Sequence, residues 1–220
     1  MLKNLKYLSF AMLGFIFLIS INIIAVFNSK FIFEYFAVKN NLSIMTNLPH
    51  EEILLDYNRI IDYVMNPLIQ NLNFKNFTIS QNGQMHFFDV KVIFTILCII
   101  SLATIMFLLT YIIYKRFFYD KTKLMSRING NLVTLRNYFN GLILGFLVFI
   151  TSFIIIDFTK IFNLMHKALF SNDYWIFNEV NDSIITILPE SFFMLCAVSV
   201  IILLIVETII INVSVKNKIN

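Results

Sequence analysis

Four long apolar runs constrain this chain more than anything else in it: Leu8 to Phe27, Val92 to Tyr114, Asn137 to Ile156 and Ser191 to Val215. About 20 consecutive apolar residues are needed for a helix to cross the ~30 Å hydrocarbon core of a bilayer. The first three runs carry no charged residue, and the fourth carries only Glu207. A backbone in hydrocarbon must satisfy its own hydrogen bonds, so runs of this length read as transmembrane helices. The composition agrees, with 59% hydrophobic residues, only 14% charged residues, five glycines and three prolines. The expectation is an all-α membrane protein with four transmembrane helices, residues 1–220 forming a single integral membrane domain.

The first run follows Lys3 and Lys6 and could be mistaken for a signal peptide. It is about twice as long as a typical apolar signal region and lacks a clear small-x-small cleavage site, so an uncleaved helix is expected.

The charges give an orientation. Lys3 and Lys6 precede the first span, and Lys216 and Lys218 follow the last. Between the second and third spans Lys115, Arg116, Lys121, Lys123, Arg127 and Arg136 face Asp120 alone. Residues 28–91, by contrast, carry five bases and six acids, and residues 157–190 carry two bases and five acids. The positive-inside rule then predicts both termini in the cytoplasm and loops 28–91 and 157–190 outside, together forming an extracytoplasmic cap. The net charge of +4 arises from segments flanking the spans, so it is no signature of nucleic-acid binding.

Within the first outer loop, Ile53, Tyr57, Ile60, Ile61 and Val64 recur at helical spacing between Pro49 and Pro67, with Glu51 and Glu52 near the positive end. That pattern predicts an amphipathic helix lying on the membrane surface. The following "NFTISQNGQMHFF" offers a weak hairpin turn at Asn82 and Gly83. The second outer loop predicts a helix continuing out of the third span, with an apolar face of Phe162, Met165, Leu169 and Phe170. A polar break at Ser171 to Asp173 and a second short helix follow.

The chain has three histidines, all in the outer segments, and two of them, His86 and His166, stand close to the ends of membrane spans. Imidazole both accepts and donates protons near neutrality, so the two are a candidate acid–base pair. Asp89, Asp173 and Asp182 could fix an imidazole tautomer, or could equally be solvated loop charges. His86 also reads as a polar interfacial residue, His166 as a helix-surface residue, and His50 as a surface residue at a helix start. Other chemistries find little support. There is no HExxH pair and no GxSxG, Cys98 and Cys196 lie within spans as packing residues, and both outer histidines lie outside the apolar runs where haem ligands would sit. Glu207 reads as a structural hydrogen-bonding group facing the bundle.

Two segments, "HFFDVK" from His86 to Lys91 and "MHKALFSNDYWIFNEVNDSIITILPESFF" from Met165 to Phe193, resemble the lipoprotein intramolecular transacylase family of Gram-positive bacteria. The resemblance rests on H-x-x-D-V-K before the second span, H-K-x-L-F-x-N-x-x-W after the third, Asp182, and L-P-E-x-F-F opening the fourth. Met165 stands where an aromatic residue is expected before the histidine. The resemblance implies an acyltransferase of the cell envelope that moves the sn-2 acyl chain of a diacylglyceryl-modified N-terminal cysteine onto its own α-amine. His86 and His166 would be the catalytic pair, with Asp89, Lys91, Asn172 and Trp175 orienting or lining the site. Diacylglyceryl-modified lipoproteins and membrane lipid would be the partners, with no metal, cofactor or nucleic acid. The alternative is a non-enzymatic membrane interaction protein whose histidines are structural.

Overall fold

The computed structural model describes residues 2–118 and 121–219. Asp120 lies outside the described residues, as do the side chains of Lys3, Lys115, Arg116, Lys121, Lys123, Arg127 and Lys218, on which part of the charge asymmetry rests. Among these described residues seven α-helices follow in order: α1 (Leu2–Phe27), α2 (Lys30–Lys39), α3 (Leu42–Thr46), α4 (His50–Met65), α5 (Gln81–Phe118), α6 (Lys121–Leu169) and α7 (Glu190–Ile219). A short 3₁₀ turn, Ser183–Ile187, precedes α7. No strand occurs among the described residues, so the possible hairpin around Asn82 and Gly83 is replaced by the start of α5.

Among the described residues four stretches are long and apolar enough to cross a membrane: Asn4–Phe27, Gln81–Tyr114, Asn131–Ser152 and Glu190–Asn217. They overlap the four runs in the sequence. The main difference is at α5, which begins at Gln81, so His86, Asp89 and Lys91 stand on the same helix as the second run. α6 breaks at Asp157, whose backbone leaves the helical region. The Asp157 carboxylate caps the piece that follows, accepting the Lys160 N–H at 3.0 Å. The stretch carrying His166 is therefore a separately capped helical segment.

The chain divides into two compact units. The first comprises Met1–Ile23, Cys98–Ser152 and Ser199–Asn220. Its core is Ala11, Phe139, Ile143 and Leu204. Polar pairs also join its helices: Asn140 and Asn212 exchange amide hydrogen bonds of 2.9 and 3.2 Å, and Asn22 Nδ2 donates to Glu207 Oε2 at 2.8 Å. The second pair is the structural role expected for Glu207.

The second unit comprises Ile24–Leu97 and Phe153–Val198. Its centre is aromatic: Phe33 lies stacked on Tyr57 at 3.6 Å, and Phe192 meets both rings edge-on. Around it, α4 turns Ile53, Tyr57, Ile60, Ile61 and Val64 inward, and all five are buried. The periodicity of α4 is therefore as expected, but its apolar stripe is consumed by the protein core and does not lie on a membrane surface. Buried Asp56, on the same helix, accepts the N–H groups of Lys75 and Asn76 at 2.7 and 2.8 Å. That bond ties the irregular segment 66–80 down onto α4.

Candidate active site

His86 and His166 come together in the second unit, their ring centroids 5.7 Å apart. α5 begins at a serine cap, where Ser80 Oγ accepts the Gly83 N–H at 3.0 Å. His86 lies in the second turn of that helix. His166 lies near the end of α6, aligned with Phe162 and Phe170 at a spacing of four residues. Phe170 is buried and Phe162 half-buried, whereas Met165 and Leu169 are exposed. The inward stripe of this segment is thus Phe162, His166 and Phe170, one that a stricter reading of i, i+4, i+8 spacing finds in the sequence.

Both imidazoles are deeply buried, His86 with 6% and His166 with 8% of its surface exposed. Aromatic rings enclose them. Phe170 stands edge-on to His86 at 4.8 Å, and Phe177 does so at 5.5 Å. Phe162 and Trp175 cover His166 at 4.3 and 4.9 Å. Phe177 is a lining residue that the sequence did not single out, since one phenylalanine in a loop among 25 in the chain carries no signal.

The two rings are held differently. His166 Nδ1 lies 2.7 Å from the Phe162 carbonyl oxygen. A carbonyl can only accept, so Nδ1 carries the proton and Nε2 presents its lone pair. Burial holds the His166 pKa below the ordinary imidazole value, with the Phe162 hydrogen bond working in the opposite direction. The neutral, Nε2-accepting form is therefore the resting one at pH 7. His86 Nδ1 is buried with no hydrogen-bond partner among the described residues. Buried polar atoms are normally paired, so this nitrogen is open to a partner that the protein does not itself supply. Two imidazolium ions at this separation would repel by about 3 kcal/mol at an effective dielectric of 20, so charging both rings at once is disfavoured.

The remaining expected residues take distinct places. Asp89 makes no hydrogen bond to either histidine; its Oδ2 accepts Asn172 Nδ2 at 3.0 Å. Asn172 in turn accepts the Trp175 indole N–H on its backbone oxygen at 3.1 Å. Asp89, Asn172 and Trp175 thus form a chain that ends on the face of His166. Lys91 points elsewhere, its ammonium donating to the Ile69 carbonyl at 2.5 Å and lying over the Tyr63 ring at 4.4 Å. It anchors segment 66–80 to α5.

Of the other acids, Asp173 is exposed. Asp182 is buried and accepts the Ser80 N–H at 2.6 Å and the Asn178 N–H at 3.1 Å. Its role is to clamp the start of α5 to the loop bearing Phe177, and it does not fix an imidazole tautomer. No group of three or more potential metal-ligating side chains gathers among the described residues.

The family described as lipoprotein intramolecular transacylase Lit matches this chain over residues 8–193. The chain is also similar to the in meso structure of the membrane integral lipoprotein intramolecular transacylase Lit from Bacillus cereus. That match has 25% identity and a TM-score of 0.81, and covers 98% of this chain and 94% of that one. A structure of the Bacillus cereus protein with a histidine-to-arginine mutation matches at 26% identity and a TM-score of 0.76, covering 98% and 90%. Another, with a histidine-to-alanine mutation, matches at 25% and 0.76, covering 98% and 92%. No curated protein sequence matches the chain. The family match spans most of the sequence, and the chain belongs to the lipoprotein intramolecular transacylase family.

Proposed function

We propose that this enzyme moves the sn-2 acyl chain of a diacylglyceryl-modified lipoprotein onto the α-amine of the same N-terminal cysteine, with His86 and His166 as its acid–base pair. The observation that carries this reading is the pair of buried imidazoles, one fixed as a base and the other with an open nitrogen, in an aromatic enclosure.

An α-amine has a pKa near 8 and arrives mostly as ammonium at pH 7. Its first proton passes to His86. The freed amine attacks the sn-2 ester carbonyl and a C–N bond forms. As Nε2 of His166 takes the second proton, the C–O bond to glycerol breaks and His86 gives its proton to the departing oxygen, so only one ring is charged at a time. The imidazolium left on His166 returns its proton to water. Atoms balance without an external acyl donor or cofactor: an amine and an ester become an amide and an alcohol within one molecule. Because both reacting groups share a molecule, holding them in register supplies much of the acceleration.

Placing the site at the extracytoplasmic leaflet, with both termini in the cytoplasm, puts it where a lipid-anchored substrate's head would reach it. The charge asymmetry supports that orientation. Lipoprotein and membrane lipid, and no nucleic acid, are then its partners. The test is a mixture of two diacylglyceryl lipopeptides with differently labelled sn-2 chains. Each product is expected to keep its own label on the amine at unchanged parent mass; crossed products would overturn the intramolecular step.

A further inference from the structure

We infer that α2 lies in the membrane interface, resting the second unit on the lipid surface through an apolar stripe of Phe31, Tyr35 and Val38. Its two faces are both apolar. Phe33, Phe36 and Ala37 face inward and are buried, with Phe36 meeting Phe192 at 5.3 Å. On the opposite side Phe31, Tyr35 and Val38 are 76%, 50% and 65% exposed. At 3.6 residues per turn those three side chains share about 60° of arc, a second stripe left uncovered among the described residues. Ile44 and Met45 on α3 extend it.

Lipid is the occupant that the chain's geometry supplies. The first membrane span ends at Phe27 and α2 starts at Lys30. Three residues reach at most about 11 Å, so α2 begins within the headgroup layer bordering that span. An interfacial helix sinks its apolar face about 5–10 Å into the boundary between headgroups and acyl chains. The chemistry of α2 suits that depth. Tyr35 is an interfacial aromatic, and Lys30 and Lys39 stand at the helix ends, with Lys39 Nζ 5.6 Å from the Tyr35 ring. Glu34, the one acid on α2, sits at the stripe's edge, so the contact is chiefly apolar. The surface-lying role that periodicity suggested for α4 thus falls to α2, whose inner face carries the position of the lipid surface into the Phe33–Tyr57–Phe192 core.

The test uses the full-length enzyme in phosphatidylcholine–phosphatidylglycerol vesicles, with Cys98 and Cys196 replaced by serine and a nitroxide placed at Phe31→Cys, Val38→Cys or Asp62→Cys. Asp62 is exposed on α4 and serves as the aqueous reference. Labels at 31 and 38 are expected to collide with oxygen in preference to a water-soluble nickel chelate, and the label at 62 to show the reverse. Water-like collisions at all three positions would overturn the inference. So would labels at 31 and 38 shielded from both colliders and spin-coupled between molecules, which would mean that a second copy covers the stripe. If the cysteine-free chain does not fold, Tyr35→Trp in the native chain gives the same decision: acyl-brominated lipids should quench the added fluorescence, and unquenched emission counts against it.

Discussion

Asp182 Oδ1 accepts the backbone N–H of Ser80 at 2.6 Å, fixing the first turn of the helix that carries His86 against the loop that carries Phe177. Gly83 lies beneath this clamp. A Cβ there would come within 2.7 Å of Asp182 Oδ1, 2.9 Å of an Ile79 carbon and 3.0 Å of a Phe177 ring carbon. Gly83→Ala is therefore expected to displace the clamp and destabilise the protein by about 1–3 kcal/mol, typical of overpacking. Activity of the folded fraction should fall with it, because Phe177 packs on His86. Thermal melting together with single-turnover rates checks this; unchanged melting and rate would show that the helix start is free to adjust.

The link from Asp89 through Asn172 to Trp175 makes a second prediction. Asn172→Ala removes the amide that Asp89 accepts, loosening the loop and admitting water beside His166. Relieving burial should let the His166 pKa rise toward its ordinary value of about 6.5, so the acid limb of the rate profile moves to higher pH. A purely structural Asn172 would lower the yield of folded enzyme and leave that limb in place. Trp175→Phe, which keeps an aromatic cover, is expected to lose less rate than Asn172→Ala.

How far the sequence anticipates this arrangement depends on the range of the interaction. Runs such as Val92 to Tyr114 declare themselves by length alone, because the bilayer sets one threshold for every span. His86 and His166 were legible as rare titratable groups and as a candidate acid–base pair, and their assignment to catalysis came with the resemblance. What each acid does was not legible. Asp89, Asp173 and Asp182 are similar loop acids in sequence, yet one holds an asparagine, one is exposed and one clamps a helix start, because tertiary contacts up to 102 residues apart decide it. The apolar face of α4 went to the protein core for the same reason: periodicity says that a face will be covered and leaves open by what.

His166 also sets the pH response. Its pKa is lowered by burial, so the unfolded chain binds more protons than the folded one between the lowered value and about 6.5. This group's contribution to stability is complete above the unfolded value and is lost as pH falls through the folded one. Activity should follow the same direction, with the acid limb below pH 6.5 in the wild type. A limb at or above the ordinary imidazole value, in conditions where chemistry limits the rate, would contradict the buried-base assignment.

The proposed orientation is open to chemical labelling. In a background lacking Cys98 and Cys196, Thr122→Cys should resist a membrane-impermeant thiol reagent in intact cells and react after permeabilisation, whereas Asn40→Cys, exposed beside α2, should react from outside. Labelling of position 122 in intact cells would reverse the topology.

The last prediction concerns the Asn22–Glu207 hydrogen bond, 2.8 Å long and made within two membrane spans. Asn22 is buried, and hydrocarbon offers Glu207 no replacement donor. Polar contacts between membrane helices contribute about 0.6 kcal/mol on average and up to roughly 2, so Asn22→Leu should produce a small but measurable loss of stability in bilayers. Glu207→Gln keeps an oxygen to accept the Asn22 amide and should cost less than Asn22→Leu. Replacing both residues by leucine removes the unmet carboxyl as well as its partner, and should recover part of the loss, in keeping with the asymmetry between breaking a buried polar pair and replacing it. Rates of the folded variants should stay close to wild type if the pair only supports the bundle. A large loss of turnover in Glu207→Gln at unchanged stability would instead give this carboxyl a part in the reaction.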